Sequence, residues 1–429
     1  MNTRHQRSYL KRKYGNWHKN FFKKVVAKLL TKYKVVYSID KSKTEVDGVK
    51  LLHISDLHIG KRVNEFSMLE DQKYILRQIL AVADAQRADG IMIAGDIYDK
   101  PVPSAEAVQV FDWFLTELAD RGKQAYAVSG NHDSAERIAF GAQLMSGRGV
   151  FVSPVYRGDT ARFTVKDAYG ELCIYLLPFI KPAVVRHALE GAPDMEGVPM
   201  PESYHDAVKL AIERMGVDSS GRNILIAHQF VTGAGRCDSE EVSVGGLDNV
   251  DADVFDAFDY VALGHIHSPQ SLKRETVRYC GTPLKYSFSE AGQEKSVTVV
   301  ELREKGNIVL STVPLVPLHD LRKIRGTYLE VTAKSFYQDT DTEDYVQITL
   351  TDEEDIPDGL QKLRIIYPNL MRLEYDNSRT RQSQVIERAE EIEQKSELEL
   401  FSEFYEIQNN QPMSGEQTAF VSRLIAECR

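Results

Sequence analysis

The chain has 429 residues, a formal net charge of −10 and 42% hydrophobic residues, which predicts a globular protein of two or three domains. No apolar run approaches the ~20 residues that a membrane-spanning helix needs, so we expect no membrane partner. Its four cysteines are far apart and form no CxxC pair, which excludes a zinc ribbon or a disulfide scaffold and indicates a cytoplasmic protein.

Residues 1–48 differ in charge from the rest of the chain, with 13 Lys/Arg against 3 Asp/Glu. Lys23, Lys24 and Lys28 interrupt any apolar core, so a signal peptide is excluded. We interpret the segment as a basic N-terminal extension. It is either a disordered, solvated tail, a basic arm for DNA or a membrane surface, or the product of a misassigned start before Val49.

From Val49 onwards, short apolar runs alternate with helical patterns. The runs predict buried strands in VKLLHI, GIMIAG, QAYAVSG, LCIYLLP, NILIAH and DYVALGH. Helices are predicted from about Ser67 to Ala88 and from the N-cap signal Pro103-Ser104 to Gly122. This alternation is typical of an α/β core, and SVTVVEL and NIVLSTV predict two antiparallel strands after it. We place this domain at 49–316.

A smaller α+β module is predicted over 317–380. Its segments predict strand, strand, helix and strand in GTYLEV, YVQITLT, GLQKLRIIY and LMRLEY. Residues 381–429 predict a charged helical tail, in which Ser414 and Gln417 have the spacing of a capping box. The tail carries two apolar stripes, formed by Leu400, Phe401, Phe404 and Tyr405 and by Phe420, Val421, Leu424 and Ile425.

Polar side chains, most of them titratable, end or follow five of the predicted strands. They are Asp56 and His58, Asp96 and Asp99, Asn131 and His132, His228, and His265 and His267. Ligands bind outside the carboxyl ends of the strands in open α/β sheets, so we expect these side chains to share one cavity. In an extended segment, residues i and i+2 point the same way, which would bring Asp56 to His58 and His265 to His267.

The chemistry of this set predicts a metal centre. It offers oxygen and imidazole ligands without thiolate, which suits Mn, Fe or Zn, and its carboxylates favour Mn. Seven ligands are too many for one ion and fit two, with Asp96 as a bridge over the ~3.5–4 Å of two-metal phosphoryl-transfer sites. We therefore expect two divalent ions, Mn²⁺ by preference.

The hexapeptide SGNHDS predicts a ligand beside a catalytic residue. Asn131 would supply a neutral amide oxygen to a metal ion. His132, its neighbour, is better placed over the substrate, where it can donate a hydrogen bond to a phosphate and protonate the leaving oxygen. Asp99 would orient His132, as a third group orients the base of a catalytic pair.

Five motifs occur in order: Asp-x-His, GDxxD, GNHD, a histidine after a strand, and GHxH. In this the chain resembles the calcineurin-like metallophosphoesterases, which implies a two-sheet β-sandwich flanked by helices. The resemblance implies one metal ion held by Asp56, His58, Asp96 and His267. It implies a second ion held by Asp96, Asn131, His228 and His265.

A narrower resemblance covers Val49 to the C-terminus, in HISDLHIGK, AHQFVTGAGRCDSEEVSVGG, FDYVALGHIHSPQ and YCGTPLKYSFSE. These segments are similar to the nuclease subunits that act with an SMC-like coiled-coil ATPase. The resemblance implies an Mn-dependent double-strand 3′–5′ exonuclease and single-strand or hairpin endonuclease, associated with the nucleoid and acting in DNA repair, recombination and replication. It also implies a homodimer within a heterotetramer.

By the same resemblance, module 317–380 caps DNA and tail 381–429 binds the ATPase. The tail's contact residues would be Leu400, Phe401, Phe404, Tyr405, Phe420 and Leu424. The stripes could instead pack on the chain's own core or on each other. Two other functions remain open: a phosphoesterase for a small molecule or a phosphoprotein, and a scaffold subunit that regulates the ATPase. The roughly 110 residues after Pro317 favour the nuclease, because a small-substrate esterase would not need them.

Overall fold

The computed structural model describes residues 48–192, 199–235, 237–240, 249–378, 380, 398, 401–402, 405 and 413–427. Apart from Gly48, the predicted N-terminal extension lies outside the described residues. The chain divides into two compact units between Leu318 and His319. Within the described ranges, no helix combines the length and the apolar character needed to cross a membrane.

The first unit contains two large sheets in its described part. Its strands are Val49–Ile54 (β1), Arg62–Val63 (β2), Phe66–Ser67 (β3), Gly90–Ala94 (β4), Gln124–Val128 (β5), Val150–Val152 (β6), Ala161–Asp167 (β7), Gly170–Leu177 (β8), Arg222–His228 (β9), Tyr260–Gly264 (β10), Gln270–Leu272 (β11), Arg274–Tyr279 (β12), Ser296–Leu302 (β13) and Ile308–Pro314 (β14). Its helices are Leu69–Ala85, Ala105–Asp120, Ala135–Ile138, Ala142–Ser146, Pro182–Leu189 and Tyr204–Arg214, with 3₁₀ turns at Ala252–Phe255 and Phe288–Glu290.

Both sheets combine parallel and antiparallel pairs. The first has the order β14-β13-β1-β4-β5-β6, and the second has the order β11-β12-β10-β9-β8-β7. Strands β1, β4, β5 and β6 run parallel, as do β8, β9, β10 and β12. The predicted antiparallel strands SVTVVEL and NIVLSTV form β13 and β14 and pair in register from Ser296 opposite Pro314 to Leu302 opposite Ile308.

A hydrophobic core lies between the two sheets and explains their packing. Leu51 and Met92 of the first sheet pack with Ile174, Ile224 and Ala262 of the second. Because alternate strand residues point to opposite faces, the remaining apolar side chains of these strands face outwards and are covered by helices. On the second sheet, the helices Pro182–Leu189 and Tyr204–Arg214 provide this cover. The two-sheet sandwich flanked by helices is thereby confirmed.

The two predicted helices of the first unit form close to their expected limits. Ser104 caps the helix Ala105–Asp120, because its side chain accepts a hydrogen bond from the backbone N–H of Ala107. The helix Leu69–Ala85 buries Ile75 and Ile79, four residues apart on one face. Hydrophobic periodicity and cap residues were therefore sufficient to identify both helices.

The second unit contains a three-stranded parallel sheet in its described part. Its strands are Leu321–Gly326 (β15), Tyr345–Leu350 (β16) and Leu370–Tyr375 (β17), and its helices are Tyr328–Thr332, Lys334–Tyr337, Gly359–Arg364 and Gly415–Glu427. Ile324, Val346, Ile348 and Leu370 pack in its core. The predicted capping box at Ser414 and Gln417 starts the last helix, since each residue bonds the backbone N–H of the other.

One predicted strand of this unit is wrong. GTYLEV was predicted as a strand, but β15 ends at Gly326 and the following residues form the helix Tyr328–Thr332. The Thr327 side chain accepts from the backbone N–H of Glu330, and the Glu330 carboxylate accepts from that of Thr327. This capping box satisfies the free N–H groups of a helix start and outweighs the strand preference of the β-branched and aromatic residues.

Candidate metal centre

Loops from both sheets supply the predicted polar side chains. The loops after β1, β4 and β5 carry Asp56, His58, Asp96, Asp99, Asn131 and His132. On the other sheet, His228 is the last residue of β9, and the loop after β10 carries His265 and His267. The contributing strands therefore belong to two facing sheets rather than to neighbouring positions of a single open sheet. The sandwich brings the two groups of loops together at one end of the first unit.

The backbone at the site adopts a left-handed conformation. Asp56, His58, Asp96 and His265 have φ values of 52°, 42°, 47° and 104°, which side chains other than glycine seldom adopt. Backbone hydrogen bonds hold the first two loops together, from Asp56 N–H to the Gly95 carbonyl at 3.0 Å and from His58 N–H to the Asp96 carbonyl at 2.9 Å. The expectation of plain extended segments was therefore wrong, although Asp56 and His58 do converge.

Two glycines allow the loops to approach closely. A Cβ at Gly264 would lie 1.8 Å from the carbonyl oxygen of Ala94, and one at Gly130 would lie 2.1 Å from Oδ1 of Asp96. Any other residue at either position would push the ligand loops apart. The glycines in the GNHD and GHxH motifs are thus required by the contact between the loops.

Asp56, His58 and His267 form the first cluster of candidate ligands. Their ligand atoms lie within 4.8 Å of one another, and all three residues are buried. Nε2 of His58 is 3.2 Å from Nε2 of His267 and 3.8 Å from Oδ2 of Asp96. The structure therefore brings together the four residues that the family resemblance implied for one ion.

Asp96, Asn131, His228 and His265 form the second cluster. Oδ2 of Asp96 lies 3.4 Å from Nε2 of His228. Oδ1 of Asn131 lies 2.9 Å from Nε2 of His228 and 2.9 Å from Nδ1 of His265. Oδ2 of Asp96 therefore lies beside both clusters, 3.8 Å from Nε2 of His58 and 3.4 Å from Nε2 of His228, as a bridging ligand must.

A hydrogen bond on the far side of His228 fixes the orientation of its ring. Nδ1 of His228 lies 2.9 Å from the carbonyl oxygen of Ala94. A carbonyl oxygen only accepts, so Nδ1 carries the hydrogen and Nε2 faces Asp96 and Asn131. Metal-binding histidines are commonly held in this way by a backbone carbonyl.

The centre concentrates buried charge. Burial, with Asp96 nearby, raises the pKa of Asp56 to about 8. Burial alone would raise the pKa of Asp96, but His228 outweighs it and holds the pKa of that carboxyl well below its usual value. Burial would likewise lower the pKa of His228, yet the Asp96 carboxylate raises it to about 9. Burial lowers the pKa of His58 and His267 well below the ordinary value, so both rings are neutral at neutral pH.

The donor atoms of the centre are arranged as a cation site requires. Two neutral imidazoles direct their Nε2 atoms at each other, and Nδ1 of His58 is buried without a hydrogen-bond partner among the described residues. Two carboxylates are buried beside them. Converging electron donors of this kind are costly to bury alone and are stabilised by a positive ion. The oxygen and imidazole donors therefore fit divalent metal ions.

His132 and Asp99 lie at the edge of the cluster. Nε2 of His132 is 3.9 Å from Oδ2 of Asp96, and Nδ1 of His132 lies 3.1 Å from the backbone carbonyl of Asp99. The carboxylate of Asp99 bonds Nζ of Lys61 at 2.8 Å. Asp99 thus contacts His132 through its backbone, not through the acid group that the sequence reasoning used.

Asp133 is a functional residue that the sequence reasoning missed. Its carboxylate accepts from the backbone N–H groups of Ile97, Tyr98 and Gly130, at 3.0, 2.9 and 2.9 Å. It therefore ties the loop that carries Asp96 to the loop that carries Asn131 and His132. The signal was available, because Asp133 is the last residue of the GNHD motif.

In the tail, residues of both apolar stripes line one hollow of about 340 Å³. Its lining comprises Phe401, Tyr405, Met413, Gln417, Phe420 and Val421. Nε2 of Gln417 donates to the Tyr405 hydroxyl at 2.9 Å, so the two segments that carry the stripes contact each other there. Phe420 and Leu424 nevertheless stay 56% and 43% exposed. Leu400 and Phe404 lie outside the described residues.

Comparison with known families identifies the class. The profile of the calcineurin-like phosphoesterases matches residues 49–269, which include all seven candidate ligands. The profile SbcD_C, described as the type 5 capsule protein repressor C-terminal domain, matches residues 317–409. The chain belongs to the calcineurin-like phosphoesterase family. Its activity is of the phosphoesterase hydrolase class, with a divalent metal site.

Individual proteins similar to the chain define its relationships more closely than the family profiles do. The chain is 30% identical over 385 residues to the SbcD subunit of the nuclease SbcCD from Staphylococcus epidermidis, a match that covers 88% of this chain and 98% of that protein. This confirms the resemblance to the SbcD nuclease subunits. Two solved structures, a dimetal phosphatase from Danio rerio and the protein TT1561 of Thermus thermophilus, are each 12% identical. They cover 63% and 62% of this chain and 99% of their own, with TM-scores of 0.38 and 0.35.

Proposed function

We propose that the chain is an Mn-dependent DNA nuclease subunit that hydrolyses phosphodiesters with two metal ions, together with the SMC-like ATPase SbcC. The observation that carries the proposal is the convergence of seven oxygen and imidazole ligands at one end of a phosphoesterase sandwich. The similarity to a subunit of the nuclease SbcCD, which extends through 88% of the chain, supports DNA as the substrate.

Asp56, His58, Asp96 and His267 would hold one metal ion, and Asp96, Asn131, His228 and His265 would hold the other. When bound, such a pair lowers the pKa of water and neutralises charge on the phosphate. The absence of thiolate among the ligands and the two carboxylates favour Mn²⁺.

His132 is the proposed general acid. The Asp99 carbonyl only accepts, so the Nδ1–H of His132 donates to it and fixes the ring at the edge of the cluster. In the doubly protonated imidazolium form, Nε2–H can then donate a hydrogen bond to the phosphate and pass its proton to the leaving oxygen, which leaves a neutral ring with its hydrogen on Nδ1. Lys61 neutralises the Asp99 carboxylate and so helps to hold this loop.

The remaining parts of the proposal concern substrate and assembly. We assign 49–316 to nuclease chemistry, 317–380 to capping DNA and 381–429 to binding the ATPase. The expected activities are 3′–5′ exonuclease on duplex ends and endonuclease on single strands and hairpins. We expect a homodimer of the nuclease within a heterotetramer, at the nucleoid in the cytoplasm, acting in repair, recombination and replication.

The test uses the purified full chain with and without the ATPase. End-labelled duplex and hairpin DNA are incubated in Mn²⁺ or Mg²⁺, beside a synthetic phosphomonoester. The Asp96→Ala protein, prepared in parallel, excludes a contaminating nuclease. We expect DNA cleavage in Mn²⁺ that depends on Asp96.

The alternatives give different results. Turnover of the monoester with all DNA substrates intact would indicate a phosphatase. No hydrolysis of any substrate by a chain that still binds the ATPase would indicate a scaffold subunit. Either result would contradict the proposal.

A further inference from the structure

A chain of hydrogen bonds, partly buried at Ser239 and fully buried at its far end, leads from the candidate ligand His267 to an ion pair. Oγ of Ser239 lies 2.6 Å from Nδ1 of His267 and donates to Oε1 of Glu290 at 2.6 Å. Oε2 of Glu290 accepts from Nζ of Lys295 at 2.6 Å. Glu290 is fully buried, and the Lys295 side chain is 4% exposed. None of these three residues is among the ligands of either proposed ion.

The direction of these bonds determines which nitrogen of His267 carries the hydrogen. The serine hydroxyl has one hydrogen, and the Glu290 carboxylate can only accept it. Ser239 must therefore accept from His267, so the hydrogen of that ring is on Nδ1. Nε2 then presents its lone pair to the cluster, 3.2 Å from Nε2 of His58.

Further contacts hold Glu290 in place. Its carboxylate also accepts from the backbone N–H of Tyr286 and from the Thr282 hydroxyl, both at 3.3 Å. Nζ of Lys295 donates to the His267 carbonyl at 3.0 Å, so the ion pair supports the backbone as well as the ring of His267. Burying two charges is costly because they lose their contact with water. The cost is offset only where hydrogen bonds replace that contact, as they do for Glu290 and Lys295.

We infer that Ser239 and Glu290 are positioning residues, which fix the tautomer and angle of His267 and so set the affinity of one of the two metal ions. The inference rests on the proposed metal centre. Groups that bond the outer nitrogen of a metal-binding histidine raise its basicity as a ligand, and their loss typically costs about 10- to 100-fold in metal affinity.

The experiment measures Mn²⁺ binding to the metal-free full-length protein by isothermal titration calorimetry. We expect Ser239→Ala to lower the affinity for one of the two Mn²⁺ ions by about 10- to 100-fold and to leave the affinity for the other unchanged. Ser239→Thr keeps the hydroxyl and should restore binding. Ser271→Ala, which removes an exposed hydroxyl bonded to the Glu275 carbonyl, is the matched control and should bind both ions normally.

The melting temperature of each metal-free variant separates positioning from support of the fold. A Ser239→Ala protein with wild-type affinity, whatever its melting temperature, would overturn the inference, as would a Ser239→Thr protein as weak as Ser239→Ala. If Ser239→Ala does not fold, Glu290→Gln removes the charged acceptor, and wild-type affinity there would equally overturn it. Wild-type protein that binds no Mn²⁺ would instead refute the metal centre itself.

Discussion

At the scale of single residues, the buried histidines divide by what their ring nitrogens contact. His53, inside β1, has Nδ1 2.9 Å from the Tyr260 hydroxyl and Nε2 3.2 Å from the Leu263 carbonyl, so both nitrogens are used by the fold. His228 and His267 each use one nitrogen for the protein and direct the other at candidate ligands. This division distinguishes structural from metal-binding histidines better than burial does.

The different positions of His132 and Asp96 predict different losses. His132→Ala should lower DNA cleavage by about 10²- to 10⁴-fold, because a proton donor is removed, while the Mn²⁺ content stays at the wild-type level. Asp96→Ala should lose both ions, because Asp96 belongs to both clusters. Cleavage rates and metal analysis of the two variants check this. Normal cleavage by His132→Ala would show that another group protonates the leaving oxygen.

His53 predicts a loss of stability in acid. Burial lowers the pKa of His53 from 6.5 to about 3, so between these values the unfolded chain binds a proton that the folded chain does not. The stability is complete above pH 6.5 and is lost as the pH falls towards 3, by about 1.4 kcal/mol per pH unit. The free energy of unfolding of the metal-free protein, measured with urea at a series of pH values, should fall less steeply with falling pH in His53→Gln. The difference between the two slopes against pH should equal that amount. Parallel slopes would contradict the prediction.

At the scale of elements, the sequence predicted where the site lies better than how its loops are built. Each predicted ligand lies at the end of a strand or shortly after it, and strand ends could be found from apolar runs. The left-handed φ of Asp56 and Asp96 and the division of the strands between two sheets depend on packing that one segment does not encode. The helix that replaced the predicted strand GTYLEV shows the same limit, because a side-chain cap decided the outcome.

Asp133 predicts how the catalytic loops are held. Asp133→Ala would leave three backbone N–H groups without their carboxylate acceptor, and we expect the free energy of unfolding to fall by about 2–4 kcal/mol. Mn²⁺ affinity should fall as well, because the loops of Asp96 and Asn131 separate. Chemical denaturation and calorimetry check both effects. Asp112→Ala on the exposed side of the helix Ala105–Asp120 is the control, and equal behaviour of the two variants would contradict this role.

At the scale of the whole molecule, the candidate ligands and the apolar stripes of the tail belong to different compact units. All seven candidate ligands belong to the unit that ends at Leu318. The tail, by contrast, retains apolar side chains in contact with solvent, among them Phe401 and Phe420, at 43% and 56% exposure. Exposed apolar residues grouped on one segment favour an interaction with another protein.

Removal of residues 383–429 should therefore separate the two functions. The shortened chain should hydrolyse a synthetic phosphodiester in Mn²⁺ at the wild-type rate, because every ligand remains in the first unit. It should not associate with SbcC, because the stripes that include Phe401 and Phe420 are gone. Co-purification and diester hydrolysis measure the two properties on the same preparation.

A full chain with Phe420→Ser and Leu424→Ser, which changes only exposed apolar residues, should bind SbcC more weakly and still hydrolyse the diester. Association of the shortened chain with SbcC would place the contact elsewhere, whereas loss of hydrolysis would mean that the first unit depends on the tail for its fold.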